Sequence, residues 1–354
     1  MVHETTDALG QSKRRNWPLY LLGGILLLGV AALFAWPKDN GAPADNAATT
    51  TLPDTDLTNV VQAEEAAQQI AAGTFVEWSA AKYPEPVTFQ SGEIRVRVSS
   101  VVEDDLAAPE VTVSAPGMND HVMRGEAAQP TATHRIGIGR LNPQARIDHV
   151  ILASYSGGAH CCTAIQVAVP SGDSFVTADL GEWDGEGISE FPRDLSGDGT
   201  ADFILYDNAF LYAFTAYAFS EAPPAVYNLV GAKFADVSRA PAFRPLFAKR
   251  MTESGERCRP DGESPRNGAC AAFVASAARI GRFDEAWAQM LRSYENDAEW
   301  DLPTGCRVST KGECPEDQLI EYSSYPEALR AFLIERGYLP TSAAAPSPEP
   351  PGIE

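Results

Sequence analysis

The chain has 354 residues, 44% of them hydrophobic, with a formal net charge of -21 and a sequence pI near 4.6. That length buries a sizeable core, in about two ordered regions. The charge excludes nucleic acid and an anionic membrane surface as partners and makes cations and cationic partners the natural counterparts.

Residues 1–16 are polar and end in Lys13, Arg14 and Arg15; residues 17–36, from Trp17 to Trp36, are an unbroken apolar run. At 1.5 Å per residue such a run spans about 30 Å, the thickness of a bilayer core. Trp17, Tyr20 and Trp36 fall near its ends, where amphipathic rings favour the interface. The basic residues before it predict a cytoplasmic amino terminus, with everything after Lys38 outside. A cleaved signal peptide is the competing reading. Leu33 before Phe34-Ala35 is a poor cleavage context and Ala42-Pro-Ala44 comes late, so an uncleaved single-pass anchor in a bacterial inner membrane is expected, its main domain periplasmic. Six cysteines in an exported region then point to disulfides.

Residues 37–58, rich in Ala, Asp, Asn, Thr and Pro, read as a flexible linker. Asn59 and Gln62 resemble a capping box that opens a short helix stopping at Gly73. From Thr74 the texture is that of strands: Ile94, Val96 and Val98 alternate with Arg95, Arg97 and Ser99, and Glu110-Val-Thr-Val-Ser repeats the pattern. Ile136–Ile138, Val150–Ser154, Ala164–Val169, Phe203–Tyr206 and Ala213–Phe219 continue it, so residues 59–245 are expected to form a mainly antiparallel β domain, a sandwich or partial propeller.

Within it, Asp194-Leu-Ser-Gly-Asp-Gly-Thr-Ala-Asp202 carries side-chain oxygens at Asp194, Ser196, Asp198 and Asp202, with Gly199 after the central aspartate and the Thr200 carbonyl as a further donor. Calcium takes six to eight oxygens at about 2.3–2.6 Å, and alternate residues of a tight loop supply them. Asp, Ser and Gly are also ordinary turn residues. Laying Asp148 on Asp202 places Arg140, Asn142 and Gln144 opposite Asp194, Ser196 and Asp198. This is a weak internal repeat, with units at about 136–189 and 190–245. Arg140 puts a cation where an ion needs an anion, so only the second loop is expected to hold metal.

The Asp194–Asp202 loop followed by Phe203-Ile-Leu-Tyr resembles the calcium loops of FG-GAP/VCBS-type repeats of extracytoplasmic adhesive and β-propeller proteins. Tyr155-Ser-Gly-Gly-Ala-His-Cys-Cys-Thr163 looks like a segment that follows such loops in exported bacterial proteins. The resemblance covers residues 135–220 and implies a calcium-stabilised β module with Asp194, Ser196, Asp198 and Asp202 as ligands.

Residues 246–340 turn helical. Ala269–Ile280 and Phe283–Leu291 read as a helical hairpin, and Pro326–Arg336 as a last helix ended by Gly337. Cys258, Cys270, Cys306 and Cys314 do not match a zinc spacing; of their three pairings, Cys258–Cys270 and Cys306–Cys314 are the simplest. Residues 341–354 read as a disordered tail.

His160, Cys161 and Cys162 suggest a thiol site or, on a glycine-rich turn, a structural or redox pair. Glu182, Asp184, Glu186 and Glu190 form an acidic cluster that could contain paired glycosidase carboxylates or be simply solvated. Nucleophile-elbow, P-loop, dinucleotide and zincin motifs are missing from the sequence. The expected function is a membrane-anchored extracytoplasmic binding or structural protein, whose ligand is an envelope protein or polysaccharide. The alternative is an envelope hydrolase using His160 with Cys161 or the nearby acids.

Overall fold

Strict alternation builds the first sheet: Ile94, Val96 and Val98 are buried on one face while Arg95 and Arg97 reach towards solvent on the other. The computed structural model describes residues 66–158, 162–260, 265–308 and 313–341. The expected cytoplasmic segment, anchor and linker, and the tail beyond residue 341, lie outside them. Among the described residues no helix is long and apolar enough to cross a membrane.

The first sheet contains β1 (Gln68–Gln69), β3 (Val87–Ser91), β4 (Ile94–Glu103), β5 (Leu106–Ser114) and β6 (His121–Arg124), in that order. The second runs β10-β9-β8-β7-β2, with β2 Thr74–Trp78, β7 His134–Gly139, β8 His149–Tyr155, β9 Thr163–Ser171 and β10 Ser174–Trp183. β11 (Asp202–Tyr206), β12 (Pro224–Val230) and β13 (Lys233–Asp236) form a third. Neighbours in these sheets are antiparallel except β1, which lies parallel to β3. Helices α1 (Arg244–Arg257), α2 (Asn267–Arg279), α3 (Phe283–Met290) and α4 (Tyr325–Glu335) follow, with a two-residue pairing of β14 (Gly305–Cys306) and β15 (Leu319–Ile320) before α4. The fold is mainly antiparallel β with a disulfide-containing helical region at its carboxy-terminal end.

β8 explains how the layers hold together. Its run Val150-Ile-Leu-Ala is apolar without alternation, the mark of a strand covered on both faces. Val150 and Leu152 join Val96, Val98, Val111 and Ile136 in one core, while Ile151 and Ala153 join Ile165, Val167, Phe203 and Leu205 in another. Full burial of such side chains is worth about 1.5–3 kcal/mol each. Truncating Ile151 to alanine would cost about 2–5 kcal/mol by leaving a cavity between the sheets.

A third core unites the helices with β12 and the chain before it: Phe210, Phe214 and Val226 pack with Phe247, Phe273, Leu329 and Phe332. The sequence did not single out α1. Its buried face mixes Phe247 and Met251 with Ser254 and Gly255, so the apolar period is broken. Gly255 is what the packing requires, because a Cβ there would stand 2.9 Å from the Phe273 ring of α2.

Two expected elements differ. The helix over residues 59–73 does not reach Gly73, because the Ile70 N–H donates to the Gln90 carbonyl and the Gly73 N–H to the Ile138 carbonyl. The sheets have claimed that backbone. Residues 213–219 are not a strand: short 3-10 turns at Asn208–Phe210 and Tyr217–Phe219 flank Tyr212, whose φ is 60°. The aromatic periodicity there serves the helical core, with Phe214 packed edge-on to Tyr325 and Phe332.

Candidate functional site

The acidic loop folds around its own carboxylates. Asp194 accepts the N–H groups of Gly197 at 2.6 Å and Gly199 at 2.8 Å, and the Ser196 hydroxyl at 3.2 Å. Asp198 accepts the Thr200 N–H at 2.7 Å. Gly197 and Gly199 have φ of 81° and 88°, conformations that side chains resist. The Gly199 N–H, seconded by that of Gly197, holds the Asp194 carboxyl below its ordinary range.

Asp202 behaves differently. It is the first residue of β11, is buried, and accepts the N–H groups of Leu195 and Ser196 at 2.7 and 3.0 Å and the Asn228 amide at 2.6 Å. The first loop lies alongside, joined by the Ala201 N–H to the Leu141 carbonyl at 2.8 Å. There the Arg140 guanidinium donates to Asp148 at 2.9 Å and to the carbonyls of Ala145 and Arg146. His149 beneath it is buried and pushed down to about 4, chiefly by desolvation.

The donor set fits a calcium ion in part. Asp194, Ser196 and Asp198 share the exposed side of the loop, and a carboxylate oxygen with one amide partner keeps a lone pair for a cation. Asp202, turned inward, does not join them. Among the described residues no group of three or more His, Cys, Asp or Glu is placed to hold a metal.

The turn between β8 and β9 borders a second feature. The Ser156 N–H donates to the Cys162 carbonyl at 2.9 Å and the Cys162 N–H to the Ser156 hydroxyl at 2.8 Å, pinning the turn at its base. Gly157, φ 80°, packs close to Ala128. His160 and Cys161 lie outside the described residues. Cys162 is disulfide-bonded, and the described residues include no free cysteine. Beside this turn is a cleft of about 320 Å³ lined by Ala153, Tyr155, Thr163, Gly185, Arg135 and Glu186. The Thr163 hydroxyl donates to the Gly185 carbonyl at 2.6 Å, so the chain after β10 folds over the strand ends. The Arg135 side chain, 16% exposed, pairs with Glu186 at 2.8 Å, whose side chain is 74% exposed. Glu77 stands 3.9 Å from the same guanidinium nitrogen.

The acidic cluster is dispersed among separate partners. Asp184 accepts the Tyr217 hydroxyl at 2.8 Å, and that bond, with desolvation behind it, pushes the phenol up to about 12. Glu186 meets Arg135, and Glu190 meets Arg193 at 3.0 Å. Glu182 sits exposed near the end of β10. Arg135 and Tyr217 were not singled out in the sequence; the one trace of Arg135 is a charge set between His134 and Ile136 in an otherwise buried strand.

Further along, Cys258–Cys270 and Cys306–Cys314 are the carboxy-terminal disulfides, the pairing that the intervals suggested. Residues 247–337, which contain all four of these cysteines, match the family described as the sll0997 C-terminal domain. The probable thylakoid lumen protein sll0997 of Synechocystis sp. is 35% identical over 239 residues, 65% of this chain and 68% of that protein. The chain belongs to the sll0997 family. The uncharacterized protein y4bJ of Sinorhizobium fredii is 31% identical over 260 residues, 72% of this chain and 41% of that protein. No solved structure matches the chain. An alignment of 239 residues exceeds everything from residue 247 to the carboxy terminus, so what the sll0997 protein shares includes sheets as well as helices.

Proposed function

We propose that this sll0997-family chain is an extracytoplasmic binding protein, held to the membrane by residues 17–36, that takes a saccharide unit of an envelope polysaccharide in the cleft over Arg135. The observation that carries this reading is the Arg135–Glu186 pair at 2.8 Å within a cleft of about 320 Å³. Neighbouring hydroxyls of a sugar need a donor and an acceptor side by side, and a guanidinium beside a carboxylate supplies both. Tyr155 and Thr163 add hydroxyls to the wall, and Ala153 and Gly185 leave room. A neutral saccharide also meets no repulsion from a chain of net charge -21.

The disulfides, and a relative named as a thylakoid lumen protein, support a compartment reached by export. The module is further proposed to be FG-GAP/VCBS-like and to hold calcium through Asp194, Ser196, Asp198 and the Thr200 carbonyl, with Asp202 fixing the loop from beneath. Two carboxylates make such a site weak, in the range of about 10⁻⁴–10⁻³ M found for extracellular modules. The hydrolase alternative finds one carboxylate in the cleft lining, Glu186, and it is paired with Arg135.

Calorimetric titration of the full chain with di-N-acetylchitobiose tests the cleft. Arg135→Gln and Glu186→Gln are each expected to weaken binding about tenfold, the worth of a hydrogen bond to a charged group. Binding that neither substitution alters, or no binding, counts against the reading.

A further inference from the structure

Exposed aromatics gather at a place that the saccharide cleft does not use. Tyr212, Phe219 and Trp300 are 48%, 41% and 37% exposed. The Trp300 indole N–H donates to the Tyr212 carbonyl at 3.0 Å, which fixes the indole against the segment between β11 and β12. Tyr212 is itself held in its left-handed conformation by its N–H donating to the Ser220 hydroxyl at 3.0 Å. A left-handed backbone at a bulky residue costs about 1–3 kcal/mol and persists where its surroundings enforce it. The aromatic platform is therefore rigid before any partner arrives.

Between Phe219 and Trp300 opens a cleft of about 330 Å³, and its rim carries Glu295, Asp297 and Glu299. Glu295 is committed to Arg266, 3.4 Å away. Asp297 and Glu299 are exposed and make no ion pair among the described residues. Two carboxylates without an ion pair among the described residues thus line the same opening as an indole and a phenyl ring. A cation over an aromatic face gains about 0.5–2 kcal/mol, more as water is excluded.

We infer that this cleft docks a lysine or arginine side chain of a protein partner. Charge complementarity gives the sign: the rim is acidic, and so is the whole chain. The size of the partner follows from the platform, because Tyr212 lies outside the cleft and offers an apolar shelf that a free amine leaves uncovered. Tyrosine and tryptophan on a fixed backbone are the residues that anchor protein interfaces.

The test titrates the full chain, in neutral detergent micelles at about 0.15 M salt, where the Debye length is about 8 Å, with acetyl-trilysine amide. Trp300→Leu keeps the apolar bulk but removes the indole, and the exposed double variant Asp297→Asn/Glu299→Gln removes the rim charge. Each is expected to weaken binding about tenfold. A control double variant, Glu93→Gln/Glu103→Gln at the two ends of β4, both exposed and outside the cleft lining, is expected to stay within about twofold, since exposed charges beyond a Debye length are screened. Equal weakening by the two double variants would make the attraction general and overturn the proposal. Free lysine binding as tightly as the peptide overturns it too, in favour of a small amine. The exposed double variant decides the matter even where Trp300→Leu fails to fold.

Discussion

Arg140 and Asp148 form an ion pair at 2.9 Å that closes the first loop, at the positions where the second loop has Asp194 and Asp202. One loop thus carries its own cation. The other carries only acids at the corresponding places and neutralises them with backbone N–H groups, a buried asparagine amide and, on our proposal, calcium. The two loops sit side by side through Ala201 and Leu141, so the comparison is between neighbours in one frame.

That contrast gives different costs to two chemically identical substitutions. Asp202→Asn leaves the N–H groups of Leu195 and Ser196 with a weaker acceptor and sets an amide against the Asn228 amide. The expected loss is about 2–4 kcal/mol, since hydrogen bonds to a buried charge are involved. Asp148→Asn removes half of a partly exposed pair and is expected to cost no more than about 1 kcal/mol. Urea unfolding of both variants measures this, and equal losses would remove the distinction.

Calcium should act on the second loop alone. Adding it at millimolar concentration is expected to raise the thermal midpoint of the full chain by a few degrees, as mass action requires for about 1 kcal/mol of linkage to a site of about 10⁻³ M. Asp198→Ala removes the effect; Gln144→Ala, its counterpart in the first loop, leaves it intact. A midpoint indifferent to calcium and chelator in the parent chain refutes the ion.

Much of the fold was legible because period-two alternation survives wherever one face meets solvent, as at Ile94–Val98. The unbroken run Val150–Ala153 was legible as a strand for the opposite reason, being too short for a buried helix. What failed lay where tertiary contacts outvote local pattern. Gly73 resembles a helix stop, yet its N–H belongs to a neighbouring strand, and Phe210 and Phe214 join the helical core. The cleft was legible only as an unusual glycine-rich turn. Arg135 meets Glu186, and Tyr217 meets Asp184, from separate stretches of chain, and spacing in the sequence carries no trace of either pairing.

Acid should unfold the protein through two histidines. Burial pushes His134 and His149 down to about 4 from 6.5, so the folded state keeps them neutral while the unfolded chain protonates them. The unfolded state then binds more protons, and stability is full above pH 6.5 and falls as pH drops towards 4. At pH 5 each contributes a loss on the order of 2 kcal/mol. His134 Nδ1 and the Ser154 hydroxyl share a hydrogen bond of 3.0 Å, and a glutamine, which carries both a donor and an acceptor, serves either direction of that bond while His134→Gln removes the titration. Unfolding free energies at pH 7.5 and pH 5 should differ less in that variant than in the parent. An unchanged pH slope would show that the buried histidine does not govern acid sensitivity.

The carboxy-terminal disulfides should separate by burial as well as by loop length. Cys258 and Cys270 are fully buried and link the end of α1 to the start of α2, where Phe247, Met251 and Phe273 meet. Cys306 lies exposed beside the short β14–β15 pairing and closes the smaller loop, to Cys314. Loop entropy alone assigns about 3 kcal/mol to the first bridge and about 2.5 kcal/mol to the second, nearly the same. Packing breaks the tie: replacing Cys258 and Cys270 by serine puts two hydroxyls into an apolar core, each costing about 1–3 kcal/mol if unpartnered, whereas serine at 306 is hydrated. The Cys258→Ser/Cys270→Ser chain is therefore expected to melt well below the Cys306→Ser/Cys314→Ser chain. Alanine at the buried pair should recover part of the difference. Equal midpoints for the two serine variants would mean that the α1–α2 junction admits water or hydrogen-bond partners that its closed packing does not suggest.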